Sequence, residues 1–286
     1  HRLTPVVYHR GQVQRLASAA AYLHAPPQAV HLKLDSGMGR LGAPPREVEA
    51  LAQTIHHEPL LRLHALMTHL ACADEPSFET TERQMALFTD ARQALQQRGY
   101  GAPLAHAANS AALLRIPTTQ LDLTRPGIAL FGIHPCSSAP SRSARRANLK
   151  PAMRVLSEVV ALRDVPRGGA IGYGHRWRAT RPSRIATLPM GYADGLSRAL
   201  SGRGAVLIDG KRAPVVGAVS MDLTTVDVTD HPGVKLHDEV VILGEQRGRL
   251  GHDTIGADEI AQQCDTIAWE CLTNISRRVP RYYRQP

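Results

Sequence analysis

Arg125 stands at the head of Arg125-Pro126-Gly127-Ile128, inside the stretch Thr124 to Gly132. A guanidinium, a chain-stiffening proline and a glycine followed by an apolar backbone donor suit one task together. The guanidinium can face a ring while the amides of Gly127 and Ile128 hold a phosphate, because glycine lets main chain approach an anion with no Cβ in the way. The same letters also read as a strand end with a structural arginine. Three more polar groups follow apolar runs in this half: Lys33-Leu34-Asp35-Ser36-Gly37-Met38-Gly39-Arg40, then Thr68-His69-Leu70, then His106-Ala107-Ala108-Asn109-Ser110. His69 reads either as a packed core histidine or as a titratable site group. Asn109 and Ser110 read either as a helix cap or as phosphate ligands at a helix start. In the second half, Gly172-Tyr173-Gly174 and Gly191-Tyr192 set tyrosines beside glycines, which free a phenol to enter a tight cavity or simply make turns. Gly217-Ala218-Val219-Ser220-Met221-Asp222 places a backbone amide at a strand end, where it could grip a carboxylate.

The elements that would position these groups change character midway. From Pro5 to Leu130, strands are expected at Val6–Tyr8, Val30–Leu34, Leu63–Leu70, Leu104–Ala108 and Leu121–Leu123. Helices are expected between them, with Val13, Leu16, Ala17, Ala20 and Leu23 on one face of the first, then at Val48–Ile55 and Phe78–Gln97, with a short one at Ala111–Arg115. This alternation argues for parallel strands with crossover helices, in a doubly wound sheet or a (β/α) barrel. The barrel is favoured because the polar motifs fall at C-terminal strand ends. Cys136 to Lys150, rich in Ser, Pro, Ala and Arg, is expected to be a linker. Beyond it come short strands at Val155–Leu162, Arg184–Leu188, Ala205–Ile208, Ala213–Val219 and Val240–Leu243, a hairpin turn at Asp209-Gly210 and a closing helix over Ala257–Ile275. The domains are therefore expected at 1–148 and 149–286, the first α/β and the second mostly β.

Composition narrows the partners. The 286 residues are 43% hydrophobic with a net charge of +9, and only Lys33, Lys150, Lys211 and Lys235 among the 34 basic residues are lysines. The charge is spread along the chain and aromatics are 4%, so a nucleic-acid partner is not expected. Cys72, Cys136, Cys264 and Cys271 have neither metal-ligand nor disulfide-framework spacing, which suits a reducing cytoplasm; no metal is expected. No apolar run nears the ~20 residues of a membrane span, and no signal peptide is recognised.

Taken in order, these motifs resemble the alanine racemase family over nearly the whole chain. The resemblance implies a (β/α)8 barrel, here incomplete with about strands 4–8, followed by a mostly β domain. It implies pyridoxal 5'-phosphate (PLP) as cofactor, alanine as substrate, a role in supplying D-alanine for peptidoglycan, and a head-to-tail homodimer. By the same likeness Tyr173 is the catalytic tyrosine, supported by His69 and Arg125, with Arg125 against the pyridine nitrogen. Ser110, Gly127, Ile128 and Asn109 belong to the cofactor site. Arg40, Met221 and Tyr192 face the substrate, and Tyr173, Tyr192 and Met221 serve the other subunit's site. Lys33 corresponds to a lysine that some members carbamylate. An arginine where many PLP enzymes carry an aspartate is what indicates a racemase, since it keeps the ring nitrogen unprotonated.

Two departures qualify the likeness. Trp269 stands where the family usually has a phosphate-touching tyrosine, and an indole N–H only donates. None of the four lysines stands in the Val-Lys-Ala-x-Ala-Tyr-Gly-His-Gly type of context that carries the family's anchoring lysine. The expectation is that the chain resembles a racemase lacking the first barrel strands and that, alone, it neither anchors PLP covalently nor racemises alanine. The alternatives are a broader-specificity amino-acid racemase of the same family and a non-catalytic PLP-binding or dimerising remnant.

Overall fold

The computed structural model describes residues 3–102, 104–136 and 147–284. They divide into two compact units, one within residues 3–130 with 134–136 and 147–149, and one of residues 131–133 with 150–284. The expected linker falls largely on residues 137–146, outside the described residues.

The first unit is built on four parallel strands in the order β1 (Val6–Val7), β2 (Gln28–Lys33), β3 (Leu61–Met67) and β4 (Leu104–His106). Helices α1 (Arg10–Tyr22), α2 (Pro45–His56) and α3 (Glu79–Gln97) join them in sequence. Each helix buries a stripe at helical spacing: Val13, Ala17 and Ala20; Val48, Leu51, Ala52 and Ile55; Phe88 and Leu95. All of these but Ala20 pack in one cluster with Val30, Leu32, Leu34, Leu61 and Leu66. In β2 and just after it, Val30, Leu32 and Leu34 take that apolar face, so His31 and Lys33 point from the other one.

The expected fifth strand, Leu121–Leu123, is a correction. It is reduced to a single bridge between Leu123 and His106. Leu121 sits at φ 49°, which no strand accommodates, and Leu121 and Leu123 are exposed. Asp122 does the holding instead: its N–H donates to the Ala105 carbonyl at 3.1 Å and its carboxylate accepts the Ala105 N–H at 2.8 Å.

The second unit is an antiparallel sheet. Its path runs β14 (Gly251–Ile255), β13 (Glu239–Gly248), β10 (Ala205–Ile208), β11 (Lys211–Val216), β12 (Thr224–Asp227), β9 (Ser183–Leu188) and β6 (Ala161–Val165), with β5 (Val155–Glu158) also on β13. A small pair, β7 (Ala170–Ile171) and β8 (Trp177–Arg178), flanks the turn that carries Tyr173. The Asp209-Gly210 hairpin forms as expected: Ile208 faces Lys211, and both turn residues have positive φ, 54° and 81°.

Two further expectations are corrected here. Val155–Leu162 is two strands, because the chain changes partner between them: Val159 N–H donates to Asp238 C=O and Val160 N–H to Thr187 C=O. The closing helix is also two, α5 (Ala257–Cys264) and α6 (Ala268–Thr273), separated by Asp265 at φ 55°. Among the described residues no helix is long and apolar enough to cross a membrane.

Candidate functional site

In the first unit the strand ends bring Arg125, His69 and His106 together. Arg125 Nη1 donates to His106 Nδ1 at 2.6 Å, and Nη2 donates to the carbonyls of Thr68 at 2.6 Å and Ala107 at 2.9 Å. Nη2 has only two hydrogens, so His69 Nδ1 at 3.5 Å is a near neighbour and not a third full partner. The Arg125 Nε–H and the second Nη1 hydrogen have no acceptor, and no carboxylate pairs with the guanidinium, among the described residues. Burial lowers its proton affinity with no acid to offset it. A half-buried cation with free donors and no counter-charge suits a neutral ring nitrogen or an anion as its missing partner.

The histidines behind Arg125 form a directed string. Because the guanidinium can only donate, His106 Nδ1 must accept, which leaves its proton on Nε2. His106 Nε2 then donates to His31 Nδ1 at 3.0 Å, and His31 Nε2 to His64 Nδ1 at 3.3 Å. His64 reaches this face through a bulge, where β3 gains one residue against Val30 and His31. Burial first, then the Arg125 charge and His31, lowers His106 to about 4. Burial, Arg125, Arg40 and Lys33 lower His69 to about 4 as well. Both imidazoles are therefore neutral near pH 7. Burial and the charges of Arg40 and Arg125 also lower Lys33, against the opposing pull of Asp35.

Beside this group lies an open cradle. Helix α4 (Ser110–Arg115) starts with Asn109, whose Oδ1 accepts the Ala112 N–H at 3.0 Å while its Nδ2 donates to Leu70 C=O at 3.3 Å. Ser110 is buried, and its Oγ accepts the N–H of Gly127 at 2.8 Å and of Ala129 at 3.3 Å. The Ile128 N–H has no acceptor among the described residues, and a Cβ added at Gly127 would meet nothing within 4 Å. An anion could thus take both amides while the Ser110 hydroxyl turns to donate. Arg40 is exposed.

In the second unit, Gly172 and Gly174 flank Tyr173 at φ 70° and 69°, and the Tyr173 side chain is 75% exposed. Tyr192 and Met221, both exposed, are brought together through main chain: the N–H groups of Tyr192 and Ala193 donate to the carbonyls of Ser220 and Met221, each at 3.0 Å. The Met221 N–H has no acceptor among the described residues. Trp269 lies on α6, 38% exposed, and no hydrogen bond joins it or Tyr173 to Tyr192 or Met221 among the described residues. None of the described His, Cys, Asp and Glu residues gather in threes that could hold a metal ion.

His106, His31 and His64 were not singled out from the sequence as site residues. The period-two pattern Val30-His31-Leu32-Lys33-Leu34 could have assigned His31 and Lys33 to one face. Nothing in the letters signals the bulge that re-aims His64.

Residues 1–135 match the family described as alanine racemase, N-terminal domain, and residues 152–283 match alanine racemase, C-terminal domain. An alanine racemase of Sorangium cellulosum is 56% identical over 285 residues, covering 99% of this chain and 73% of the relative. That of Syntrophobacter fumaroxidans is 43% identical, covering 97% and 71%. Among solved structures, the alanine racemase of Streptomyces coelicolor superposes with a TM-score of 0.88 at 35% identity, covering 99% of this chain and 73% of that one. That of Bacillus anthracis with bound L-Ala-P superposes with a TM-score of 0.85 at 32% identity, covering 98% and 70%.

Proposed function

The chain belongs to the alanine racemase family, PLP-dependent isomerases that interconvert L- and D-alanine, and we propose from that premise that its first unit seats the cofactor and its second presents the substrate wall. PLP, when bound, supplies an electron sink that eases removal of the alanine Cα proton. Arg125 would hold the pyridine nitrogen, and its charge would keep that nitrogen unprotonated because two adjacent cations repel. The Ile128 and Gly127 amides and the Ser110 hydroxyl take the phosphate, with Asn109 holding the helix start in register.

Arg40 and the Met221 amide take the alanine carboxylate, and Tyr192 narrows the approach to it. Tyr173 moves the Cα proton, with neutral His69 as the relay partner of its phenol. A phenol acts as a base more readily beside positive charge, and Arg40 and Arg125 would supply it. Tyr173, Tyr192 and Met221 serve a second copy of the chain in a head-to-tail homodimer. The lowered Lys33 favours its neutral amine, the form that adds carbon dioxide and releases a proton; the resulting carbamate would steady Arg40. A mass increase of one carbon dioxide on the Lys33 peptide tests this, and an unmodified peptide refutes it. The cysteine usage supports a cytoplasmic setting.

The observation that carries the cofactor reading is Arg125, a half-buried cation with two unused N–H groups and no acid, two residues from an open amide cradle. Titrating PLP into the chain and following its absorbance tests it. Arg125→Ala and Ser110→Ala are each expected to weaken binding about tenfold, the worth of one charge-assisted or buried hydrogen bond. Equal PLP affinity in wild type and Arg125→Ala overturns the assignment.

A further inference from the structure

Three segments distant in sequence meet at one guanidinium in the second unit. Arg278 Nε donates to Asp194 Oδ1 at 2.7 Å, and Arg278 Nη2 donates to Asp222 Oδ1 at 2.5 Å. Asp194 is buried, and its other oxygen accepts the Gly191 N–H at 2.9 Å, closing the turn that holds Tyr192. Its carbonyl accepts the Ser276 N–H at 2.9 Å, so the segment bearing Arg278 is itself fastened to that turn. On the other side, the Ser220 N–H and hydroxyl both donate to the Leu223 carbonyl, which makes Met221 and Asp222 the tip of a closed loop. The fit is close: a Cβ at Gly191 would collide with the carbonyls of Ser220 and Met221, and one at Gly195 with the Asn274 carbonyl.

Stability alone does not account for this arrangement. The Arg278 side chain is 48% exposed and that of Asp222 57%, and exposed ion pairs contribute little to stability. What the guanidinium adds is geometry, since its planar fork fixes two carboxylates at once where an ammonium would act as a point charge. One of those carboxylates belongs to the residue next to Met221, whose N–H has no acceptor among the described residues. We propose that Arg278 is a positioning residue that clamps the Tyr192 turn to the Met221 loop and so aims the Met221 amide at a carboxylate. The target being the alanine carboxylate rests on the function proposed above; the clamp does not. Burial alone would raise Asp194, but the hydrogen bonds from Arg278 and Gly191 and the Arg278 charge outweigh it and hold the carboxyl below its ordinary range.

The test uses the nitrogen-15-labelled, PLP-loaded chain as wild type, Arg278→Gln, Arg278→Lys and Asp222→Ala. Asp222 is exposed, so its truncation releases one arm of the clamp and leaves the Asp194 arm intact. The Met221 amide resonance is expected to shift in all three variants, lysine failing to rescue it, while the Val206 and Leu207 amides of the sheet stay in place. Added L-alanine is expected to move the wild-type Met221 amide, with the half-saturating concentration about fivefold higher in Asp222→Ala. A Met221 resonance unchanged in both Asp222→Ala and Arg278→Lys overturns the clamp, even if Arg278→Gln fails to fold. A clamp intact by that measure in which alanine leaves the wild-type Met221 amide unmoved overturns only the alanine target.

Discussion

Arg125 has five hydrogens to give and no acid to receive them among the described residues, and its surroundings solve that problem with carbonyls and a neutral imidazole. Neutrality of the imidazoles is therefore a condition of the site, and it makes the first unit sensitive to acid. His69 and His106 each titrate at about 4 when folded, against an ordinary value near 6.5. Between those values the unfolded chain binds more protons than the folded one, so stability rises with pH across that window and is lost as pH falls from about 6.5 to about 4. In urea unfolding followed from pH 7 to 4, this pair should contribute an uptake of about two protons near pH 5. His106→Asn keeps an acceptor near the Nδ1 position and removes one titration, so its slope should fall by about one proton. A midpoint independent of pH in wild type would contradict the buried neutral pair. Arg125 and His69 were legible from the sequence because each ends an apolar run. His31 and His64 were not, since their roles depend on which strand lies beside which and on a one-residue bulge.

Alternating patterns made the helices of the first unit easy to find, because each needs only its own stripe of apolar residues. Strand limits in the second unit were harder, for there the partner decides. Val155–Leu162 is one apolar run by letters and two strands by pairing, and the short polar strands Thr224–Asp227 and Gly251–Ile255 carry almost no signal of their own. Local turn chemistry proved more reliable. Asp209-Gly210 demands two positive φ values, and a Cβ at Gly210 would also strike the Gly251 carbonyl and the Gly248 N–H. Gly210→Ala is thus expected to destabilise the second unit by about 1–3 kcal/mol, from the strained φ and the collision together. Thermal unfolding of the variant checks this, and an unchanged midpoint would mean that the hairpin tip rearranges freely. Asp265 ends α5 by the same left-handed geometry, but without a glycine to announce it.

For the assembled protein, the exposed phenol of Tyr173 and the seat around Arg125 belong to different units of one chain, and their partnership is proposed across two copies. That proposal separates from cofactor binding in a mixing experiment. A chain carrying Arg125→Ala and 3-fluorotyrosine at position 173 should bind PLP poorly, so its fluorine resonance should not respond to the cofactor. Mixed with an equal amount of unlabelled wild type, about half of the labelled chains should pair with a competent partner under random exchange, and that fraction of the fluorine signal should move when PLP is added. Sedimentation in the same buffer should give a species of twice the 31.1 kDa chain mass. A dimer whose fluorine signal never responds would leave the cofactor seat standing and remove Tyr173 from it; a monomer at every concentration would remove the head-to-tail arrangement altogether.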